Sequence, residues 1–234
     1  MNLKDRVALV TGGSEGIGFA IAKALIAKGG KATLLARNEQ RLREAAEKLG
    51  CDFIVGDVGE EETADTAVAE VAARHGRFDI LVNNAGFGRF APLIDMETED
   101  FVAVHRTNVL GAFFMGRAAA RHFVKQGSGD LINISSTSGL SGGAGATAYS
   151  SSKFALKGMT ECWRAELRRH DVRVMLVNPS EVLTSFSKRA GYEQQPSPKK
   201  LRASEIADAI IGALQIDSRG FVPEFSVFAT NPYE

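Results

Sequence analysis

The strongest constraint on the fold is a repeated change in the spacing of apolar residues along the chain. Short apolar runs such as Val7–Val10 and Ile80–Val82 alternate with longer stretches in which apolar residues recur every three or four positions. Runs that are apolar on both faces indicate strands buried in a parallel sheet, and the longer spacing indicates helices that cover the sheet. The pattern therefore predicts an α/β fold with a doubly wound parallel sheet, in three αβα layers.

This alternation runs from end to end without a change in composition. It predicts one Rossmann-like domain over residues 1–234, with ligands at the carboxyl ends of the strands. A stretch at about 180–200 is irregular, and a loop of this length is either a lid or disordered. In the tail at 221–234, Pro223 and Pro232 predict a short edge strand or a docked segment. The predicted strands are Val7–Val10, Thr33–Ala36, Phe53–Val55, Ile80–Val82, Leu131–Ile134 and Val172–Val177.

The longest predicted helix lies between the fourth and fifth strands. One stripe of this helix carries Phe101, Val104, Asn108, Ala112, Met115 and Ala119 at three- and four-residue spacing. Asn108 is the polar member of an inward-facing stripe, and a buried amide is destabilising unless it is hydrogen-bonded. We therefore single out Asn108 as a candidate functional residue, with a helix–helix hydrogen bond as its structural alternative.

Composition and charge exclude several classes of protein. The 28 Lys and Arg residues balance 28 Asp and Glu residues, so a broad nucleic-acid or acidic-membrane surface is not expected. No apolar run is long enough to cross a membrane, and the two cysteines fit a reducing compartment. We expect a soluble cytoplasmic protein without a metal site. Its four histidines have no ligand spacing: His75, His105, His122 and His170.

A glycine-rich turn follows the first predicted strand and opens a helix. The segment Thr11–Gly18 carries Gly12, Gly16 and Gly18 in the spacing Gly-x-x-x-Gly-x-Gly. Glycines allow a tight turn and let a pyrophosphate approach the backbone at the positive end of a helix. Simple turn chemistry is the alternative, but the position after the first strand of an alternating chain favours phosphate binding.

Tyr149 and Lys153 form a candidate acid–base pair. They are four positions apart at the start of a predicted helix, so they share one helical face. Carbonyl reduction needs an acid to protonate the developing alkoxide, and a free tyrosine with a pKa near 10 is poorly matched to neutral pH. Lowering that pKa by about three units takes roughly 4 kcal/mol, which an ammonium ~4 Å away can supply. A chance pairing is the alternative reading.

These motifs together resemble the short-chain dehydrogenase/reductase family over about residues 5–215. Ser136 lies thirteen residues before Tyr149, where the family carries its catalytic serine, and Ser135 is the neighbouring alternative. The resemblance implies that Tyr149 is the acid, that Ser136 holds the substrate oxygen and that Lys153 binds the nicotinamide ribose. It also implies that Asn108 holds a water in a proton relay with Lys153.

The resemblance further implies a nicotinamide cofactor. The second strand ends in Ala36-Arg37-Asn38, where an arginine accepts the 2′-phosphate of NADP and a carboxylate would hold the ribose of NAD. We therefore favour NADP(H), with NAD(H) as the alternative. Two observations count against this: Arg37 could be a solvated surface charge, and Glu15 stands where NADP-preferring relatives often carry a base. The expected cofactor-binding residues are Gly12, Ser14, Glu15, Gly16, Ile17, Gly18, Arg37, Asp57, Val58, Asn84, Ala85, Gly86, Tyr149, Lys153, Pro179, Val182 and Thr184.

Two departures from the family pattern affect these expectations. After Asn178-Pro179 most relatives have glycine, but this chain has Ser180 followed by Glu181. This change makes the expected carboxamide contacts of Val182 and Thr184 less secure. The chain also lacks the family's frequent Gly-Gly ending, so we expect a homodimer or a homotetramer without choosing between them.

The expected activity is reduction of a small-molecule ketone to a secondary alcohol by hydride transfer. A 3-oxoacyl thioester is the first candidate, because the expected walls are apolar and the mouth is basic. Asp130 argues against an acyl carrier protein, since carrier-using relatives often place a base there. Other ketones (steroid-, pteridine- or sugar-like), a non-catalytic NADPH-binding regulator and a helix-mediated assembly protein are the alternatives. The wall and mouth residues are Phe87, Arg89, Phe90, Leu140, Leu183, Phe186, Lys188, Arg189, Tyr192, Lys199 and Lys200.

Overall fold

The structure is a computed structural model that describes residues 1–195 and 197–231. Pro196 and the last three residues of the predicted tail, 232–234, lie outside the described residues. The strands are β1 Val7–Thr11, β2 Lys31–Ala36, β3 Asp52–Val55, β4 Ile80–Asn83, β5 Gly129–Ile134, β6 Val172–Pro179, β7 Val182–Leu183, β8 Leu201–Arg202 and β9 Glu224–Val227. The helices are α1 Gly16–Ala27, α2 Glu39–Leu49, α3 Glu61–His75, α4 Thr98–His105, α5 Ala112–Gln126, α6 Thr147–Leu167, α7 Phe186–Arg189 and α8 Ala203–Leu214.

Seven strands form one parallel sheet in the order β3-β2-β1-β4-β5-β6-β9. One apolar cluster packs α1, α2 and α8 against the first face, and a second packs α3 and α5 against the other. The chain order reverses between β1 and β4, and ligands of such sheets bind outside the carboxyl ends at this point. The predicted doubly wound, three-layer Rossmann-like fold is confirmed.

The predicted strands are correct in place, and each is short by one or two residues at one end. The tail forms an edge strand, β9, which pairs in parallel with β6. The segment 180–200 differs from the expectation of a wholly irregular loop. It contains β7, which pairs with β8, and the short helix α7. Lys200 Nζ also donates to Glu181 Oε1 at 2.9 Å, so the two ends of this segment are tied together.

The predicted long helix is continuous but not α-helical throughout. Residues Arg106–Gly111, between α4 and α5, form a π-helical turn that includes Asn108. The turn packs closely on the segment after β3, because a Cβ added at Gly111 would lie 2.7 Å from the Val58 side chain. Such π-helical turns occur frequently at functional sites.

A membrane-spanning helix was not expected from the sequence. Across residues 1–195 and 197–231, no helix combines the length and apolar character needed to cross a bilayer.

Candidate active site

The glycine turn connects β1 to α1 at the switch point of the sheet. Gly12 and Gly16 adopt φ values of +63° and +59°, which side-chain-bearing residues rarely adopt. Glu15 precedes the first residue of α1, and its side chain makes no capping hydrogen bond to the helix. The first-turn N–H groups of a helix without such a cap suit an anionic phosphate, so this turn fits a dinucleotide.

Asn84 joins the glycine turn to the segment after β4. Its Nδ2 donates to the carbonyls of Thr11 at 2.9 Å and Gly12 at 3.2 Å. The Thr11 hydroxyl in turn accepts from the backbone N–H groups of Asn84 and Ala85. A Cβ at Gly18 would lie 2.5 Å from Asn84 Nδ2, so glycine is required there by close packing. Gly18 thus shapes the turn without lining the cleft.

A cleft of about 320 Å³ lies at the carboxyl ends of the strands. It brings together most of the predicted cofactor-binding residues: Gly12, Ser14, Glu15, Gly16, Ile17, Arg37, Asp57, Val58, Asn84, Ala85, Gly86, Tyr149, Lys153 and Thr184. The lining does not include Gly18, Pro179 or Val182. Pro179 is the last residue of β6, and the N–H of Ser180 donates to the Val227 carbonyl, continuing the contact with β9.

Arg41 is a lining residue that the sequence analysis missed. It lies in the first turn of α2, four residues after Arg37, and its guanidinium is 4.0 Å from the Glu15 carboxylate. Arg37 lies 3.5 Å from Asp57 Oδ2, and both arginine side chains are largely exposed. The four-residue spacing from Arg37 was the signal that could have revealed Arg41. The structure therefore places two arginines in the cleft lining after the second strand, Arg37 directly after β2 and Arg41 on α2.

Tyr149 is buried at the floor of the cleft. Ser136 Oγ accepts from the Ser138 N–H at 3.1 Å, whereas the Ser135 hydroxyl donates to the Lys153 carbonyl at 3.4 Å. Burial raises the pKa of Tyr149 to about 12, and Tyr192 adds to the rise, while the nearby Ser136 acts in the opposite direction. The sequence suggested that a nearby ammonium could lower this pKa, whereas in this structure burial sets the direction of the shift.

Lys153 shares the buried face of α6 with Tyr149. Its Nζ lies 5.7 Å from the Tyr149 ring centroid and donates to the Ile134 carbonyl at 2.8 Å. Burial lowers the pKa of Lys153 to about 8. At neutral pH the ammonium form therefore predominates, beside a tyrosine that keeps its proton.

Asn108 holds the start of the segment after β4. Its Oδ1 accepts from the Phe87 N–H at 3.0 Å, and its Nδ2 donates to the Phe87 carbonyl at 2.9 Å and to Ser152 Oγ at 3.0 Å. A Cβ at Gly86 would come within 3.0 Å of this amide and 3.6 Å of Lys153 Nζ. Asn108 therefore lies next to the site but behind its lining. Its bond to Ser152 on α6 is the helix–helix hydrogen bond that we considered as its structural role.

Aromatic rings cover the substrate side of Tyr149. The ring centroids of Phe90 and Phe186 lie 5.6 Å and 5.3 Å from that of Tyr149. Tyr192 contacts Phe90 edge-on at 5.8 Å. Three of the predicted wall residues thus meet at one place, and they give the substrate an apolar, aromatic surface.

The cations expected at a basic mouth are largely paired. Arg89 Nε lies 3.1 Å from Asp100, while Lys188 is exposed on α7. Arg189 lies 3.0 Å from Glu15 and Lys200 lies 2.9 Å from Glu181. Paired cations attract an anionic partner less strongly, so the basic-mouth argument for an anionic carrier is weakened.

Asp130 does not bear on carrier recognition as the sequence suggested. It is buried at the amino end of β5, opposite the cleft, and its carboxylate lies 2.6 Å from Arg6 and 2.5 Å from Arg173. An acidic side chain inside such a network presents no charge to a partner protein. Asp130 therefore does not count against an acyl carrier protein.

The parallel sheet, the glycine turn at its switch point and the Tyr149–Lys153 face together are those of an oxidoreductase of the Rossmann type. The short chain dehydrogenase family model matches residues 6–195, and the chain belongs to this family. A 3-oxoacyl-[acyl-carrier-protein] reductase of Homo sapiens is 37% identical, covering 90% of this chain and 92% of that protein. An uncharacterized oxidoreductase of Bacillus subtilis is 35% identical over 93% of this chain, which spans 65% of that protein's length.

Solved structures give the same relationship. An alcohol dehydrogenase from the archaeon Thermococcus sibiricus, complexed with 5-hydroxy-NADP, superposes with a TM-score of 0.88. The two chains are 29% identical, and the match covers 97% of each.

Proposed function

We propose that this protein is an NADP(H)-dependent reductase that converts a ketone to a secondary alcohol. The observation that carries the proposal is the placement of Tyr149 and Lys153 on one buried face of α6 at the cleft, with Ser136 near Tyr149. The raised pKa keeps the Tyr149 hydroxyl protonated at neutral pH, as a proton donor must be. Membership of the family supports the oxidoreductase class.

In the proposed mechanism, a bound nicotinamide supplies the hydride that is added to the carbonyl carbon. The Ser136 hydroxyl orients the carbonyl oxygen, and Tyr149 donates its phenolic proton to that oxygen as negative charge develops on it. The Lys153 ammonium stabilises the tyrosinate that remains until a proton returns from solvent. Oxidation of the alcohol uses the same groups in reverse, and in that direction Tyr149 must first lose its proton to act as the base.

Arg37 and Arg41 support the choice of NADP(H) over NAD(H). Both belong to the end of the cleft that follows β2, where a dinucleotide places its adenosine ribose. Two guanidinium groups complement a 2′-phosphate, whereas the 2′-hydroxyl of NAD is held best by a carboxylate. We expect Arg37→Ala to weaken NADPH binding much more than NADH binding, and equal weakening would reject the assignment.

A 3-oxoacyl thioester remains the first substrate candidate, and the name of the human relative supports it. The aromatic surface formed by Phe90, Phe186 and Tyr192 favours the second candidate, a different uncharged ketone such as a steroid- or pteridine-like one. The proposal also includes a single domain, a cytoplasmic location and a homodimer or homotetramer, as the sequence predicts.

The test is NADPH oxidation by the purified protein with acetoacetyl thioester and with a panel of simple ketones and diketones, repeated with NADH. Turnover of the thioester that is faster with NADPH supports both the cofactor and the substrate. Turnover of other ketones alone keeps the chemistry and removes the thioester. Tight NADPH binding without turnover of any panel member would favour a regulator.

Tyr149→Phe tests the acid directly. We expect this variant to lose nearly all turnover while its affinity for NADPH, measured by fluorescence titration, stays close to that of the wild type. Full activity in the variant would refute the role of the hydroxyl. Glu70→Gln, an exposed change on α3, serves as the control.

A further inference from the structure

Glu15 places a negative charge in the glycine turn, where it would repel a 2′-phosphate. In the structure its carboxylate is paired with groups from another segment. Its Oε1 lies 3.0 Å from Arg189, and its Oε2 accepts from the Ser185 hydroxyl at 2.6 Å. Both partners come from the segment 184–190, here called the strap, which lines the cleft beside the glycine turn.

The same carboxylate also lies 4.0 Å from Arg41, farther than from Arg189. Glu15, Arg41 and Arg189 all line the cleft, so they share one electrostatic environment at its ribose end. A carboxylate paired to Arg41 alone would neutralise that arginine and repel a phosphate dianion. A second cation on Glu15 offsets this negative charge and leaves Arg41 to interact with the phosphate.

We propose that Arg189 is a specificity-determining residue for the cofactor, and that it acts through Glu15. By pairing with Glu15 it permits a 2′-phosphate next to an acidic glycine turn. This inference rests on the proposed NADP(H) dependence. It explains how a chain with Glu15 in its glycine turn can bind a cofactor that carries a 2′-phosphate. The cation that relatives place inside the turn is supplied here by the strap.

The strap is held in position from the opposite side as well. Arg89 donates from its guanidinium to the Arg189 carbonyl at 2.7 Å, and Arg89 is itself paired with Asp100 at 3.1 Å. The Phe186 ring rests against the Tyr149 ring. These contacts fix the backbone of the strap independently of the Arg189 side chain, so a change of that side chain can be made without releasing the strap.

The experiment is a double-mutant cycle of Glu15→Gln, Arg189→Met and the combined variant. Dissociation constants are measured for NADPH and NADH, and for the fragments 2′,5′-ADP and 5′-AMP, which differ only in the 2′-phosphate. Because both side chains are partly exposed, we expect Arg189→Met to weaken NADPH and 2′,5′-ADP by about three- to fivefold. NADH and 5′-AMP should change by less than about twofold.

The cycle separates an action through Glu15 from a direct contact. In the Glu15→Gln background we expect Arg189→Met to have no effect on the NADPH:NADH ratio, because no carboxylate remains to be offset. An equal effect in both backgrounds would show that Arg189 contacts the phosphate itself and would overturn the inference. An equal loss of NADPH and NADH would overturn it too, since it would indicate a general role of the strap.

Arg121→Met is the matched control. Arg121 is exposed and lies 3.6 Å from Asp65 on a surface away from the cleft, so its loss should leave all four dissociation constants unchanged. If the proposed NADP(H) preference is wrong, the wild type binds NADPH and NADH equally and Arg37→Ala changes neither dissociation constant. If only the Arg189 inference is wrong, Arg37→Ala still weakens NADPH binding selectively.

Discussion

Tyr149 and Lys153 lie four residues apart on one face of α6, and both side chains are buried. Spacing alone suggested that the ammonium would lower the pKa of the phenol. The structure shows the opposite direction for Tyr149, because each group loses water and each neutral form is favoured. The residue pair therefore combines a protonated phenol with a lysine that titrates near pH 8.

This titration predicts a pH dependence of ketone reduction. Tyr149, with a pKa of about 12, stays protonated over the accessible range, while Lys153 loses its proton as the pH rises through about 8. We expect kcat/KM for reduction to be constant near pH 6–7 and to fall above about 8, tenfold per pH unit at the limit. A profile that stays flat to pH 10 would contradict a role for the ammonium charge.

The same burial predicts that Lys153 destabilises the folded protein. Its pKa falls from 10.5 to about 8, which corresponds to roughly 3 kcal/mol at neutral pH. Since the hydrogen bond to Ile134 returns about 1 kcal/mol, we expect Lys153→Met to raise the free energy of unfolding by about 2 kcal/mol at pH 7. Urea unfolding measures this value.

The pH dependence of the free energy of unfolding tests whether burial of Lys153 destabilises the folded protein. Between about 8 and 10.5 the unfolded chain binds the Lys153 proton and the folded chain does not, so wild-type stability should rise with pH across this window. The rise should be absent from Lys153→Met. A variant that is less stable than the wild type at pH 7 would show that the hydrogen bond outweighs the desolvation.

Among the elements, β1, α1 and the segment after β4 form one packed unit around the glycine turn. Asn84 ties the turn to that segment, and Gly18 lets α1 approach both. The π-helical turn plays a similar part, since Asn108 fixes both backbone groups of Phe87. Contacts between helices and loops that lie behind the lining residues therefore determine the shape of the cleft.

Gly18→Ala tests this packing. The new Cβ would lie 2.6 Å from the Gly12 carbonyl as well as against Asn84, so the backbone of the turn must move. We expect a loss of about 1–3 kcal/mol in the free energy of unfolding, together with weaker NADPH binding. Gly212→Ala on α8, with open space around it, should instead gain about 0.5–1 kcal/mol and leave binding unchanged. Similar stability for both variants would contradict the close approach.

Over the whole molecule, the two ends of the sheet have different roles. The carboxyl ends carry the cleft, and the amino ends carry a buried ion network. In this network Asp130 is paired with Arg6 and Arg173, and Arg173 also donates to the carbonyls of Leu214 and Gly220. The network links β1, β5 and β6 to the segment after α8.

Asp130→Ala should therefore reduce stability without altering the chemistry. Removing the carboxylate leaves two arginines without their buried partner, and we expect a loss of about 3–5 kcal/mol in the free energy of unfolding. Values of kcat and KM per folded molecule should match the wild type, because the cleft lies at the opposite end of the strands. A selective rise in KM would argue for a role in substrate recognition after all.

The sequence by itself determined the doubly wound α/β fold class, the glycine turn after the first strand, and the shared helical face of Tyr149 and Lys153. These features depend on local periodicity and on spacing within a single element, which the chain records directly. The same locality explains why the edge strand at 224–227 could be anticipated from Pro223 and its apolar neighbours.

Only the tertiary structure decided the contacts between distant segments. Glu15 pairs with Arg189, which lies 174 positions later in the chain, and no local sequence pattern predicts this pair. The direction of the Tyr149 pKa shift also depended on tertiary packing, because desolvation reflects how completely Phe90 and Phe186 cover the ring. Spacing places groups on a common face, but the surrounding fold determines their solvation and their partners, and through these their charge.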